Sequence, residues 1–397
     1  MDTEIQLLKK SIGEIEMDDV GVRPPETIDL SQIDMPVRMD DRSFDRKMLP
    51  DLIRHLQDIR DHSVDYVAPG EKMTFQPTND AHEWELEIAT EEGIKIFHPT
   101  NWAQKQSVDR TPIPRRYHDD MLRAGKSPLA TTNLNSWYRD KEGMMVRTVG
   151  DRFRAMVSPS FFAYDSLDML KQVAVSIKTI NDSRLTTEQP VQFYKADCSE
   201  THIYLDLIDE GQQYDIGKGD MYSAMLIVQN NEVGAGSMSI EPGFFRWACI
   251  NRAIKSPVLR KIHRGEKLDE GIFSPETRKL AAELWHRQVR DVMNSTLVNH
   301  NLFEVWAQEL RESKEIKVVP TVSVKKVAEE FKITDDEVQL ILDCMMSDKT
   351  VEPDDRDSAY AIIQGMTAAA KQMPPDRSYE FGKMAGETRQ ILTVLAA

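Results

Sequence analysis

The alternation of apolar and polar positions is clearest between Met144 and Asn181, where it changes period once. Two short runs, MMVRT and RFRAMVS, flank Gly150-Asp151, a pair suited to a tight hairpin turn because positive φ costs such residues least. A two-residue turn sets Val149 opposite Arg152, Arg147 opposite Arg154 and Met145 opposite Met156. The other face then carries Val146, Phe153, Ala155 and Val157, an apolar set ready for a core. From Asp165 the period becomes helical. Leu167, Leu170, Val173 or Ala174, Ile177 and Ile180 form one stripe, with Asp165 as cap and Asp168 placed to return the capping-box bond.

The same reading extends in both directions. A short amphipathic helix starts near Pro50 and turns Leu52, Ile53, Leu56 and Ile59 inward. Alternation through Trp84, Leu86 and Ile88 marks a strand, with a second in GIKIFHPT. Residues 101–122 read as helix, break, helix, because Pro112 and Pro114 begin a new helix rather than sit inside one. Between Pro190 and Asn251 the runs QFYKADC, THIYLDLID, MYSAMLIVQ, GSMSIE and FFRWACI read as strands, separated in part by Asn230-Asn231 and Pro242-Gly243. From Ser274-Pro275-Glu276 onward the pattern is helical.

The expected class is therefore α+β: an antiparallel meander sheet, extended by the hairpin, with the 166–180 helix packed on one face and a C-terminal helical region following. Three regions are expected: 1–97, an acidic arm with a small strand and helix region; 98–273, the central α+β domain; and 274–397, the helical region.

Composition narrows the function classes. The chain of 397 residues has a formal net charge of −16, which opposes wholesale nucleic-acid binding. The charge is uneven, however. Acid dominates residues 1–50 and the stretch after Glu304, whereas 101–150 and 251–300 carry a basic excess. Cys198, Cys249 and Cys344 make neither a disulfide framework nor a zinc spacing. No apolar run approaches the ~20 residues of a membrane span, and the N-terminus lacks the order of a secretory signal. A cytoplasmic protein without membrane association is expected.

Several motifs resemble the phage- and plasmid-type family known as domain of unknown function 932. They are the Ile113-Pro114-x-x-Tyr117 step, the Val-Arg-Thr hairpin with Arg154 and Ser158, the following helix, and the Cys249-x-Asn251 step. The ending SAYAIIQGMTAAA…RSYEFGKMAGE is similar to that family's Ala-Gly ending. The departure lies at Tyr164-Asp165, where Ser160-Phe161-Phe162 replaces the more usual Tyr-Arg pair and removes one expected cation. The resemblance implies a mobile-element context and no established activity. In element order alone the chain is also similar to the strand-annealing proteins of phage recombination, the Rad-fifty-two-like group.

Catalytic signatures are weak. The stretch from Gly211 to Gly219 has the wrong spacing for a phosphate loop and lacks its Ser or Thr, so it reads as a turn between strands. His118-Asp119-Asp120 reads as a solvated helix start, since consecutive helical residues point apart. Asp206, Asp209, Glu210, Asp215 and Asp220 crowd one region, as a charged loop or, less simply, a divalent-ion site for a metal-dependent nuclease. No nucleophile has a base at recognisable spacing, so no cofactor and no catalytic residue is assigned. In VKKVAEEFKITDDEVQLIL, Ala328, Ile333, Val338 and Ile341 suit a helix-turn-helix, with Thr334 and Glu337 as a capping box. The acids opening its second helix would repel DNA, which makes it a packing element.

The remaining signal is arginine and lysine interleaved with aromatic residues, the mixture that single-stranded nucleic acid asks for. The expected contact set is Arg115, Arg116, Arg147, Arg152, Arg154, Arg252, Lys255, Arg260, Lys261 and Arg264, on a non-enzymatic and oligomeric protein of replication or recombination. Trp247 is expected in the core. Arginines facing each other across a hairpin make sense if an anion or a carboxylate sits over them. The alternative is an ordinary hairpin whose arginines pair with the protein's own acids. A separate alternative function is interaction with a host protein partner through the acidic arm and helical tail.

Overall fold

The structure is a computed structural model that describes residues 36–39, 47–159, 161, 164–184, 189–249, 251–255, 259–261, 275–297 and 300–396. It opens with β1 (Pro36–Met39), β2 (Lys47–Met48) and α1 (Leu49–His62). Then come β3 (Ser63–Ala68), β4 (Met73–Pro77), β5 (Trp84–Thr90) and β6 (Gly93–Pro99). Three helices follow, α2 (Asn101–Asp109), α3 (Arg115–Arg123) and α4 (Ser127–Tyr138), and then the hairpin β7 (Met144–Val149) and β8 (Arg152–Val157). The helix α5 (Ser166–Asp182) leads into β9 (Val191–Cys198), β10 (His202–Asp215), β11 (Met221–Asn231), β12 (Met238–Arg246), β13 (Asn251–Ile254) and β14 (Leu259–Lys261). The chain continues with α6 (Pro275–Leu297), α7 (His300–Ser313), α8 (Pro320–Phe331), α9 (Asp335–Ser347), α10 (Ala359–Ala370) and α11 (Pro375–Ala396).

The α+β class, the antiparallel meander β9–β13 and the helical C-terminal region are as expected. The hairpin, however, does not extend the meander. It belongs to a six-stranded sheet of order β3-β7-β8-β6-β5-β4, while the meander forms an eight-stranded sheet of order β13-β12-β11-β10-β9-β1-β2 with β14 on β12. The smaller sheet thus combines strands from both sides of the boundary expected at residue 97. Most of the acidic arm expected in 1–50 lies outside the described residues.

Each element follows from its local pattern. Leu167, Leu170, Val173, Ala174, Ile177 and Ile180 of α5 are buried against Leu205, Leu207, Leu226, Val228 and Ile240 of the larger sheet, joined by Leu52 and Leu56 of α1. Burial of one such side chain contributes about 1.5–3 kcal/mol. Asp165 caps α5 through Leu167 N–H at 2.8 Å, but Asp168 makes no capping box. Both carboxylates hold Arg60 instead, at 2.8 and 2.6 Å. In the smaller sheet Trp84, Leu86 and Ile88 alternate inward as expected. On its terminal strand β4, the Asn135 side-chain amide accepts from Phe75 N–H at 2.8 Å and donates to the Phe75 carbonyl at 2.9 Å.

GSMSIE and FFRWACI are not separated by a turn. A single strand, β12, runs through Pro242-Gly243. Proline is tolerated there because β14 stops at Ile240 and β13 begins at Gly243, so its missing N–H falls in the gap between them. The loop 232–237, which follows β11, joins the two sheets. Trp102 Nε1 and Gln106 Nε2 both donate to the Val233 carbonyl, at 2.9 and 2.8 Å, and Gln106 Oε1 accepts from Met156 N–H.

In the helical region, the Thr334–Glu337 capping box forms and Ala328, Ile333, Val338 and Ile341 are buried. Glu337 pairs with Arg377 at 2.7 Å, a hydrogen bond that holds its carboxyl down to about 2. The acidic start of α9 is thus tied to α11. That helix meets β13 through two glycines: a Cβ on Gly382 would press on the Ile254 side chain, and one on Gly386 would collide with the Ile254 carbonyl. Replacing Gly386 with Ala should therefore cost about 1–3 kcal/mol in urea unfolding. Glu387→Ala, on the exposed side, should stay within about 0.5 kcal/mol.

Candidate nucleic-acid interface

The hairpin turns at Gly150, whose φ is 57°. Val149 faces Arg152 as expected, but the register then slips, with Thr148 opposite Phe153, Arg147 opposite Ala155 and Met145 opposite Val157. Arg154 is the extra residue of a β-bulge, so the two arginines do not oppose each other. A bulge re-aims a side chain, and here it relieves a like-charge pair. Val146, Phe153, Ala155 and Val157 are all buried, but not on the one face expected: past the bulge Met156 joins Val146 and Phe153, while Ala155 and Val157 are buried on the other face beside Met145.

The two guanidinium groups converge on Glu232. Arg154 Nη1 lies 3.3 Å from its carboxylate. Arg147 donates to the Glu232 carbonyl and, at 3.1 Å, to Asp65. The Glu232 carboxylate also accepts Ser166 N–H at 2.6 Å, from the first residue of α5. Burial alone would raise its pKa, but Arg154, Arg147 and the Ser166 N–H outweigh that and hold it below the ordinary value. The carboxylate over the hairpin is the chain's own.

The other expected cations divide sharply. Arg252 sits 2.6 Å from Asp206 and 3.2 Å from Asp197, with its side chain only 7% exposed. Lys255 pairs with Glu309 at 2.7 Å. Arg147, Arg154, Arg252 and Lys255 are therefore corrected from open contacts to internal ion pairs, because an acid neutralises each and most of each side chain is out of water. Arg264 lies outside the described residues, and for Arg260 and Lys261 only their place in β14 is described. Trp247 is not in the core either; it is 39% exposed, with its indole N–H on Ser223.

The carboxylates expected as a charged loop are spread along β10 and its turn. Asp206 holds Arg252, Asp209 holds Arg184 at 2.8 Å, and Asp220 holds Arg246 at 2.7 Å. Among the described residues no three side chains converge as metal ligands. Gly217 and Gly219 lie in the β10–β11 turn with positive φ.

The helices on the smaller sheet present a different surface. α3 and α4 are joined by Ala124-Gly125-Lys126, with Gly125 at φ 69°. Arg116, Tyr117, Asp120 and Arg123 face solvent on α3, and Leu129, Thr132, Ser136 and Trp137 on α4. Helical spacing puts each set on one face. Arg115 is tied to Asp109 and Arg123 to Asp120. The Arg116 side chain is 93% exposed, and its nearest acid is 4.0 Å away. Among the described residues Lys126, Arg139, Lys141 and Arg152 form no ion pair. Between residues 110 and 141 the sequence has seven arginines and lysines against three acids.

His118 lies beneath this surface and is not part of a solvated helix start. It is fully buried, and neither ring nitrogen has a partner among the described residues. Its spacing to the buried Met121 and Leu122 was the available signal. Burial lowers its pKa against a small opposing effect of Asp119.

A scan against protein-family models and searches of curated proteins and of solved structures each return no match. No helix among the described residues is long and apolar enough to cross a membrane.

Removing the Glu232 carboxylate leaves two arginines uncompensated, so Glu232→Ala should lose about 3–5 kcal/mol in denaturant unfolding. Because the folded pKa of Glu232 is depressed, its contribution should be complete above its ordinary value of 4.5 and disappear as pH falls through the folded value. His118 is likewise depressed. Its neutral form should stabilise the fold fully above about pH 6.5, with stability lost as pH falls through its folded pKa. The difference in unfolding free energy between about pH 7.5 and pH 5 should shrink in His118→Leu.

Proposed function

We propose that this chain binds single-stranded nucleic acid, without catalysis, through the α3–α4 surface rather than through the hairpin. The observation that carries the reading is the coexistence of unpaired cations and exposed rings there. Lys126, Arg139 and Lys141 form no ion pair among the described residues and Arg116 has only a 4.0 Å contact with Asp120, while Tyr117 and Trp137 are 51% and 50% exposed. Cations track phosphates, and ring faces accept bases of any sequence. Confining the contact to one basic patch reconciles binding with a net charge of −16. The resemblance to a mobile-element family fits a role in replication or recombination, with several copies along one strand. The alternative, docking of a host protein, is favoured by Leu129, 46% exposed on the same face as Trp137.

Fluorescence anisotropy with a labelled oligonucleotide tests the proposal. Binding should be strong at low salt and weaken steeply as salt rises. Arg116→Gln and Arg139→Gln should each lower the salt slope by about one, and Trp137→Ala should cost about 1–3 kcal/mol. No binding at low salt, or a flat salt dependence, overturns the proposal. Partners surviving nuclease treatment in a pull-down would favour the protein-docking alternative.

A further inference from the structure

We infer that Arg110 is a preformed binding residue for a phosphate group, set where the C-terminus of α2 meets the end of β8. Charge compensation across the molecule singles it out. Among the described residues, every other arginine that is buried or half-buried faces a carboxylate, including Arg60, Arg147, Arg184, Arg246, Arg252 and Arg389. Arg110 is half-buried and faces none.

Its geometry is that of a held donor. Nε donates to the Met156 carbonyl at 2.9 Å, which fixes the plane of the guanidinium. Nη1 and Nη2 have no protein acceptor among the described residues and are not sealed from solvent. That is the two-pronged edge that matches two oxygens of a phosphate. Desolvation of the cation without an acid to offset it lowers its pKa. An incoming anion would supply the missing counter-charge, and the folded state already bears the cost of ordering the side chain.

A second cation borders the same tyrosine. Lys141 Nζ lies 5.4 Å from the Tyr138 ring centroid, and Tyr138 is an electrostatic neighbour of Arg110. Tyr138 is itself fixed by its hydroxyl donating to the Ser107 carbonyl at 2.8 Å. Two cations with no ion pair therefore flank one immobile ring. Carboxylate-bearing ligands would also be attracted, but a phosphate offers the same two oxygens to the fork of Arg110 with a larger negative charge.

The source of the phosphate, a nucleic-acid backbone or free phosphate, is the only part that rests on the function proposed above. The test titrates inorganic phosphate into the full-length protein, followed by calorimetry, for wild type, Arg110→Gln, Arg110→Lys and the distant control Arg152→Gln. Saturable binding is expected in wild type and in Arg152→Gln. It should weaken at least about tenfold in Arg110→Gln, whose amide can still reach the Met156 carbonyl, and by less in Arg110→Lys, which keeps the charge and loses the fork. Unchanged affinity in Arg110→Gln, or no saturable binding in wild type, overturns the inference. If Arg110→Gln fails to fold, Arg110→Lys decides: an affinity equal to wild type overturns the inference, and a several-fold loss supports it. In parallel, a labelled oligonucleotide should lose affinity on Arg110→Gln if the phosphate is a backbone phosphate. Arg110-dependent phosphate binding with no oligonucleotide binding in wild type upholds the site and overturns the nucleic-acid function.

Discussion

Glu232 is a carboxylate taken out of water, and the contact between the two sheets depends on keeping it charged. Its oxygens receive Arg154 from the hairpin and the Ser166 amide from the start of α5, while its own carbonyl takes Arg147. The N-terminal end of a helix carries a partial positive charge, so three sources of positive potential meet on one residue. None of the three is local in sequence. Through its carboxylate and its carbonyl, one residue therefore ties the hairpin and the start of α5 to the end of β11. The neighbouring Val233 carbonyl, shared by Trp102 and Gln106, extends the junction to α2.

Local signals were legible where local physics decides. Gly150-Asp151 placed the turn, Asp165 the start of α5, Thr334 with Glu337 the start of α9, and Pro114 the restart after α2. The sequence alone missed features set by distant partners. The bulge at Arg154 depends on Glu232, which is 78 residues away. Pro242-Gly243 looks like a turn until β13 and β14 are seen to leave it a gap. His118 carries a polar side chain into a core, and only its spacing to Met121 and Leu122 hinted at that. The expected cation set divides between an exposed patch and internal ion pairs. Arg115 and Arg116 belong to the exposed patch with Tyr117, whereas the hairpin arginines had the stronger pattern and turned out to be structural.

Charge compensation explains that division. With 66 acids against 50 arginines and lysines, an arginine entering the interior of this molecule readily meets a carboxylate. Asp165 and Asp168 receive Arg60, Asp220 receives Arg246, and Glu337 receives Arg377. Such pairs link elements far apart in the chain, and breaking one is costly because the partner stays behind. In a chain of this composition, basic residues clustered in sequence carry little information about function. A cation that remains without an acid carries much more, and the α3–α4 layer is where several of them gather.

Asn135 has an effect beyond the helix that carries it. Its amide presents a donor and an acceptor in the arrangement of a main-chain peptide, and it spends both on Phe75, at the outermost strand of the smaller sheet. An outermost strand otherwise offers a row of unsatisfied amides on which a foreign strand can nucleate. By occupying the middle of that row, one side chain ends the sheet at six strands and guards the molecule against self-templated aggregation along that border.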